Sequence, residues 1–211
     1  MIKPIAVLLT LYSVPTLALN VVLAGGTGEI GQGLAARLSD HKVTVLTRNA
    51  FLAAAPTRVT EQFGWMGASF LRKHPQVSLR DWDGGDLLDI VGCDWIGWQE
   101  DTLSKADVVV HLVGGFTPQR TMACERLVRE SLTYNKNALH VTVNPTDEDM
   151  GAVARLVPKP VKLQRVKECE DMVSVNCLSS LCMRIEANRV SEGCDAIVGA
   201  ILREKAESSV S

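Results

Sequence analysis

A short apolar run, Asn20-Val21-Val22-Leu23-Ala24, passes directly into Gly25-Gly26-Thr27-Gly28-Glu29-Ile30-Gly31-Gln32, and apolar residues then recur at helical spacing through Leu34, Ala35 and Leu38. This strand, turn and helix constrain the fold more than any other stretch. A glycine at 25 permits a tight turn, one at 28 lets backbone amides approach a pyrophosphate, and one at 31 lets the helix pack on the strand. Glycine triplets alone are weak signals, but here the required strand precedes and the required helix follows. Beyond the polar turn Ser39-Asp40-His41-Lys42 lies a second buried run, Val43-Thr44-Val45-Leu46-Thr47, ending in Arg48-Asn49. Two such runs joined by a helix predict a parallel sheet with helices on both faces. An acidic residue at the end of the second strand would bind the ribose hydroxyls of NAD; the guanidinium of Arg48 suits a 2′-phosphate, so NADP(H) is expected ahead of NAD(H).

The 211 residues fit one domain of about 190 residues behind a short leader and leave no room for a second substrate domain of about 100. With 46% apolar and 22% charged residues the chain is not disordered, collagenous or a coiled coil. A net charge of −2 without runs of one sign gives no indication of a nucleic-acid partner. Cysteines 93, 124, 169, 177, 182 and 194 form no C-x-x-C and have no neighbouring His pair, so they read as buried thiols rather than a disulfide framework or a metal site.

Residues 1–18 stand apart from the domain expected over 19–211. One basic residue, Lys3, precedes the run Ile5 to Tyr12, then Pro15 and Thr16-Leu17-Ala18, the layout of a cleavable targeting segment. An additional strand or packed arm, and a retained anchor, are the other readings. The apolar run is shorter than the roughly twenty residues a membrane span needs, so no span is expected after processing. Such a leader points to a secretory route or an organelle; without it the compartment would be cytoplasmic. Cysteines lacking a framework suit a reducing space, which an organelle reached by a signal-like leader would reconcile.

Ala24 to Gly31, Val43 to Asn49 and the stretch Ala106-Asp107-Val108-Val109-Val110-His111-Leu112-Val113-Gly114-Gly115 together resemble the extended and atypical short-chain dehydrogenase/reductase superfamily, including its NAD-dependent epimerase/dehydratase branch. The resemblance covers most of residues 20–115 and implies a doubly wound α/β Rossmann fold. It further implies cofactor roles for Gly25, Thr27, Gly28, Glu29, Ile30 and Gly31, for Arg48 and Asn49, and for Val113, Gly114 and Gly115. His111, inside an apolar strand, reads as a core histidine.

Residues 50–105 are less legible: the third strand is either Gln76 to Asp83 or Asp94 to Trp98, and three tryptophans in 82–98 read as a core edge or a partner surface. A helical stripe follows from Pro118 to Asn135, then a strand at Leu139–Val143, a helix through Val173, a strand at Leu181–Ile185 and a closing helix over Ser191–Lys205. Catalysis in the resembling superfamily uses a tyrosine, a lysine four residues on, and a Ser or Thr after the fifth strand. Here no Y-x-x-x-K exists. Alignment on Glu170-Asp171-Met172-Val173 puts Lys162 at the tyrosine position and Val166 at the lysine position. Thr146, Lys162 and His140 remain as weak proton-donor candidates. Two functions are consistent with this pattern: a non-catalytic NAD(P)(H)-binding protein, such as an assembly factor, redox sensor or subunit of a larger complex, and a small NADPH-dependent reductase lacking the usual pair.

Overall fold

Six parallel strands form one sheet in the order β3-β2-β1-β4-β5-β6. The structure is a computed structural model that describes residues 18–208 except 62, 83–97 and 152–155. The strands are β1 (Asn20–Ala24), β2 (Lys42–Thr47), β3 (Val77–Asp81), β4 (Val108–His111), β5 (Leu139–Pro145) and β6 (Ser179–Ile185). Between them run α1 (Glu29–Arg37), α2 (Ala50–Ala53), α3 (Ala68–Lys73), α4 (Trp98–Leu103), α5 (Pro118–Tyr134) and α6 (Lys159–Asn176), and α7 (Val190–Ser208) closes the chain. This is the single-domain doubly wound α/β architecture expected from the glycine turn. No helix among the described residues is long and apolar enough to cross a membrane. The expected targeting segment lies, apart from residue 18, outside the described residues.

Strand residues alternate between two covered faces, which is why β1, β2 and β4 read as nearly continuous apolar runs. Val21, Leu23, Val43, Val45, Val108 and Val110 meet Leu34 of α1, Leu38 just beyond it, and Ile197 and Ile201 of α7. Val22, Ala24, Leu46 and Val109 face the other way, onto Leu103 of α4 and Ala123 and Leu127 of α5. A separate apolar seam, Cys124, Val128, Cys169, Val173 and Cys177, joins α5 to α6.

The third strand resolves to Val77–Asp81, inside the first of the two expected stretches, with Val77 opposite Val43 and Leu79 opposite Val45. The alternative is corrected at its last residue: Trp98 starts α4. Positions 94–97 lie outside the described residues. Trp82 is buried against Val22, Leu46 and Val109, as a core edge requires. Of the cysteines, 124, 169, 177 and 194 are buried free thiols; Cys182 is also a free thiol but exposed, because it lies on the outer edge strand, and Cys93 lies outside the described residues.

Candidate functional site

Two cavities open above the C-terminal ends of the strands, where the chain turns from β1 toward β2 on one side and β4 on the other, the switch point at which doubly wound sheets bind ligands. One, of about 370 Å³, and another, of about 660 Å³, share Gly25, Gly28, Leu112 and Gly114, so the glycine turn and the loop after β4 floor both. Gly25 has φ +79°, and a Cβ there would lie 2.9 Å from Val113 Cα. Only glycine combines that left-handed backbone with so close a crossing. At Gly28 a Cβ would meet nothing within 4 Å, and the residue opens into both cavities. Gly31 packs against the turn itself rather than against a strand: its Cβ would stand 2.0 Å from the Gly26 carbonyl oxygen. The turn therefore ends at the N-terminus of α1 with open space over it, which is where backbone amides and the helix dipole favour phosphate.

The larger cavity is the polar one. Thr27, Arg48, Arg58, Glu61, Phe63 and Trp82 contribute to its walls. Arg48, just past β2, has its guanidinium 5.5 Å from the centre of the Phe63 ring. Trp82 Nε1 is buried with no hydrogen-bond partner among the described residues. The loop after α2 is latched onto the glycine turn: Gln32 Nε2 donates to the Thr27 and Trp65 carbonyls at 2.9 and 3.2 Å. Asn49 is not among the residues lining this cavity; its Oδ1 caps α2, accepting from Leu52 N at 2.8 Å. The smaller, mainly apolar cavity has Glu29, Ile30, Gly31, Gly114 and Gly115 on the cleft side and Phe116, Val143, Ile185 and Val190 opposite.

Arg120, in the first turn of α5, was not singled out by its spacing yet fixes the loop between the cavities. Its Nη1 donates to the carbonyls of Val113 at 2.8 Å and Gly115 at 3.3 Å, and Nη2 donates to Asn144 Oδ1. Asn144 in turn donates to Glu170, which also accepts from Arg184. A cue was available in sequence: a guanidinium one helical turn after a Gly-Gly loop can return to that loop's carbonyls.

The proton-donor candidates are dispersed. His140 is buried away from both cavities, its Nδ1 3.0 Å from His111 Nε2 and its Nε2 3.1 Å from Ser131 Oγ. Burial pushes His140 down to about 4; burial, then the neighbouring His140 and Arg120, pushes His111 well below the ordinary histidine value. His111 is thus the satisfied core histidine expected from its strand. Thr146 Oγ1 donates to Asp149 Oδ2 at 2.8 Å, and Ala187 N donates to the same oxygen at 2.9 Å. Those bonds, the Ala187 amide first, hold the Asp149 carboxyl below its ordinary value. Lys162, in the first turn of α6, is 1% exposed and donates from Nζ to the Met150 carbonyl at 2.8 Å. Val166 is buried with Phe116 and Met150. Among the described residues no group of three or more His, Cys, Asp or Glu is placed to hold a metal ion.

No family model matches the sequence, and no curated protein matches it either. Solved structures do. An NADH-dependent reductase A1-R′ complexed with NAD is 11% identical, with 86% of this chain and 87% of that chain covered and a TM-score of 0.57. A metagenomic short-chain oxidoreductase in complex with NADP is 11% identical over 89% of this chain and 92% of its own, with a TM-score of 0.55. A short-chain dehydrogenase from Sphingobium yanoikuyae in complex with NADPH is 15% identical over 88% and 85%, with a TM-score of 0.53. The chain has the Rossmann-type fold of the short-chain oxidoreductases, the superfamily that its glycine turn and strand ends resemble.

Proposed function

We propose that this protein binds a nicotinamide dinucleotide across the cleft, NADP(H) in preference to NAD(H), and acts through the bound nucleotide as a sensor or subunit rather than as a tyrosine-dependent oxidoreductase. The residues present fit such a ligand. Gly28 leaves the space for a pyrophosphate at the start of α1, and Trp82 Nε1 is a buried donor in the wall of the larger cavity. Arg48 and Arg58 supply guanidinium groups suited to a 2′-phosphate beside the second strand. Glu29, Ile30, Gly114 and Gly115 would border the nicotinamide end in the smaller cavity. Neighbouring structures that hold NAD, NADP or NADPH support the same ligand class.

The observation that carries the non-catalytic reading is the environment at the two positions aligned with tyrosine and lysine. Lys162 is buried and bonded to a backbone carbonyl, and Val166 belongs to the core. Tyr134 is the last residue of α5, at the end of that helix away from the cleft, and Tyr12 lies outside the described residues. No phenol therefore reaches the cleft among the described residues. A second reading has one observation in its favour, the apolar cavity walled by Phe116, Val143, Ile185 and Val190 next to the expected nicotinamide end. The bound cofactor would supply hydride to a substrate there, with the proton drawn from solvent. Titration with NADPH and NADH, followed by an absorbance assay of NADPH consumption against a flavin and quinone panel, separates the two. Binding without consumption is the expected result; rapid, acceptor-dependent consumption would replace the sensor reading with the reductase.

A further inference from the structure

The seam between α5 and α6 holds thiols that nucleotide binding does not use. Cys124 of α5 and Cys169 of α6 are 4% and 3% exposed. Their placement is reciprocal: Cys124 Sγ lies 3.8 Å from the Cys169 carbonyl oxygen, and Cys169 Sγ lies 3.9 Å from the Arg120 carbonyl oxygen, one turn before Cys124. With Arg120, His111, Val113 and Thr142 they line a void of about 10 Å³, at the lower limit of what admits a single water. Arg120 Nε and Thr142 Oγ1 beside it are buried and without a hydrogen-bond partner among the described residues. The two thiols differ in character. The Cys124 side chain, and then the Arg120 charge, hold Cys169 below the ordinary cysteine value, while the interaction with Cys169 and burial push Cys124 up.

We propose that Cys124 and Cys169 form a dithiol oxidised by hydrogen peroxide, with Cys169 as the attacking sulfur and Cys124 as the resolving one. The Cys169 thiolate attacks one peroxide oxygen, the O–O bond breaks, and Cys169 sulfenic acid forms as hydroxide leaves and is protonated to water. Cys124 sulfur then attacks the sulfenic sulfur, its proton leaves with the sulfenic hydroxyl as a second water, and the S–S bond closes. Two thiols and one peroxide give one disulfide and two waters. A void this small excludes a bulky disulfide such as oxidised glutathione, which leaves a small oxidant such as hydrogen peroxide. Cys177, on the same seam at the end of α6, is the competing partner for Cys124.

The test is made on the full chain. The protein is treated with hydrogen peroxide, the remaining thiols are alkylated under denaturing conditions, and peptides are mapped by mass spectrometry without reductant. The expected result is a Cys124–Cys169 linked peptide that dithiothreitol separates, retained in Cys177→Ser and absent from Cys169→Ser. Recovery of both Cys124 and Cys169 as alkylated thiols at doses that oxidise the exposed Cys182 would overturn the proposal, as would a link from Cys124 to Cys177. Nucleotide affinity plays no part in this readout, so its failure is distinguishable from failure of the binding reading.

Discussion

Three glycines of one turn, alike in the sequence, are held for different reasons. A side chain at Gly28 would enter open space, whereas one at Gly31 would collide with the Gly26 backbone. Gly28→Val should therefore keep the fold, changing stability by no more than about 1 kcal/mol, and lose nucleotide binding. Gly31→Val should fail to fold or lose several kcal/mol, since backbone cannot move aside as a side-chain tip can. Urea unfolding and an NADPH titration on both variants check the contrast; unaltered NADPH binding by Gly28→Val would contradict the placement of the phosphates. Arg48→Asp should weaken NADPH about 10- to 100-fold, the range of one charge-assisted hydrogen bond, while leaving NADH affinity nearly unchanged. Equal affinity of the parent protein for both cofactors would count against that role. The places of the turn and of Arg48 at the cleft were legible in sequence because both follow directly from the end of a strand. Arg120 and Trp82 were not assigned to the cleft, because their positions depend on α5 and β3 being brought beside the glycine turn.

Among the elements, β4, β5 and α5 are joined by a buried relay of His111, His140 and Ser131. Both histidines are held neutral in the folded protein and gain protons on unfolding below about pH 6.5. Their folded values are depressed, so the stability they contribute is fully present above that pH and is lost as pH falls toward 4. The slope is at most about 1.4 kcal/mol per pH unit for each histidine. Urea unfolding at pH 7.5, 6 and 5 should show this decline, and replacement of His140 by Gln should flatten it; a parent protein equally stable at all three would refute it. On the opposite face α1 meets α7, where a Cβ on Gly33 would lie 2.8 Å from Cys194 Sγ, and Arg37 pairs with Asp195 at 2.6 Å. Gly33→Leu should cost about 1–3 kcal/mol by overpacking. Arg37→Ala, removing a solvent-exposed pair, should cost about 1 kcal/mol or less. A larger loss from Arg37→Ala in thermal unfolding would reverse that ranking. Hydrophobic period placed β1, β2, β4 and α5 well because each is covered on a full face or stripe. β3 was ambiguous because it is an outer strand with only Val77 fully buried, and a half-exposed strand carries a weaker pattern. The environment of Lys162 was equally hidden, since a helical lysine gives no sign that its Nζ will meet the Met150 carbonyl.

Across the whole molecule, a six-stranded parallel sheet brings the ends of β1, β2 and β4 together and leaves one continuous cleft above them. The fold class and most residues that line the cleft followed from 20–115, where strand ends and turns define the architecture. The identity of the groups around the smaller cavity depended on the packing of β5, β6, α6 and α7, which spacing alone does not specify. On the reading proposed above, this cleft binds a nicotinamide dinucleotide without the usual acid–base pair. The most direct measurement is a titration of the protein with NADPH and NADH, read by tryptophan fluorescence, since Trp82 lines the larger cavity, and by thermal unfolding. At a hundredfold excess over Kd, NADPH should add about 2.7 kcal/mol and raise Tm by roughly 5–10 °C, with a smaller effect from NADH at the same concentration. Unchanged fluorescence and an unchanged Tm at millimolar NADPH and NADH would contradict it, leaving the glycine turn with a role in packing alone.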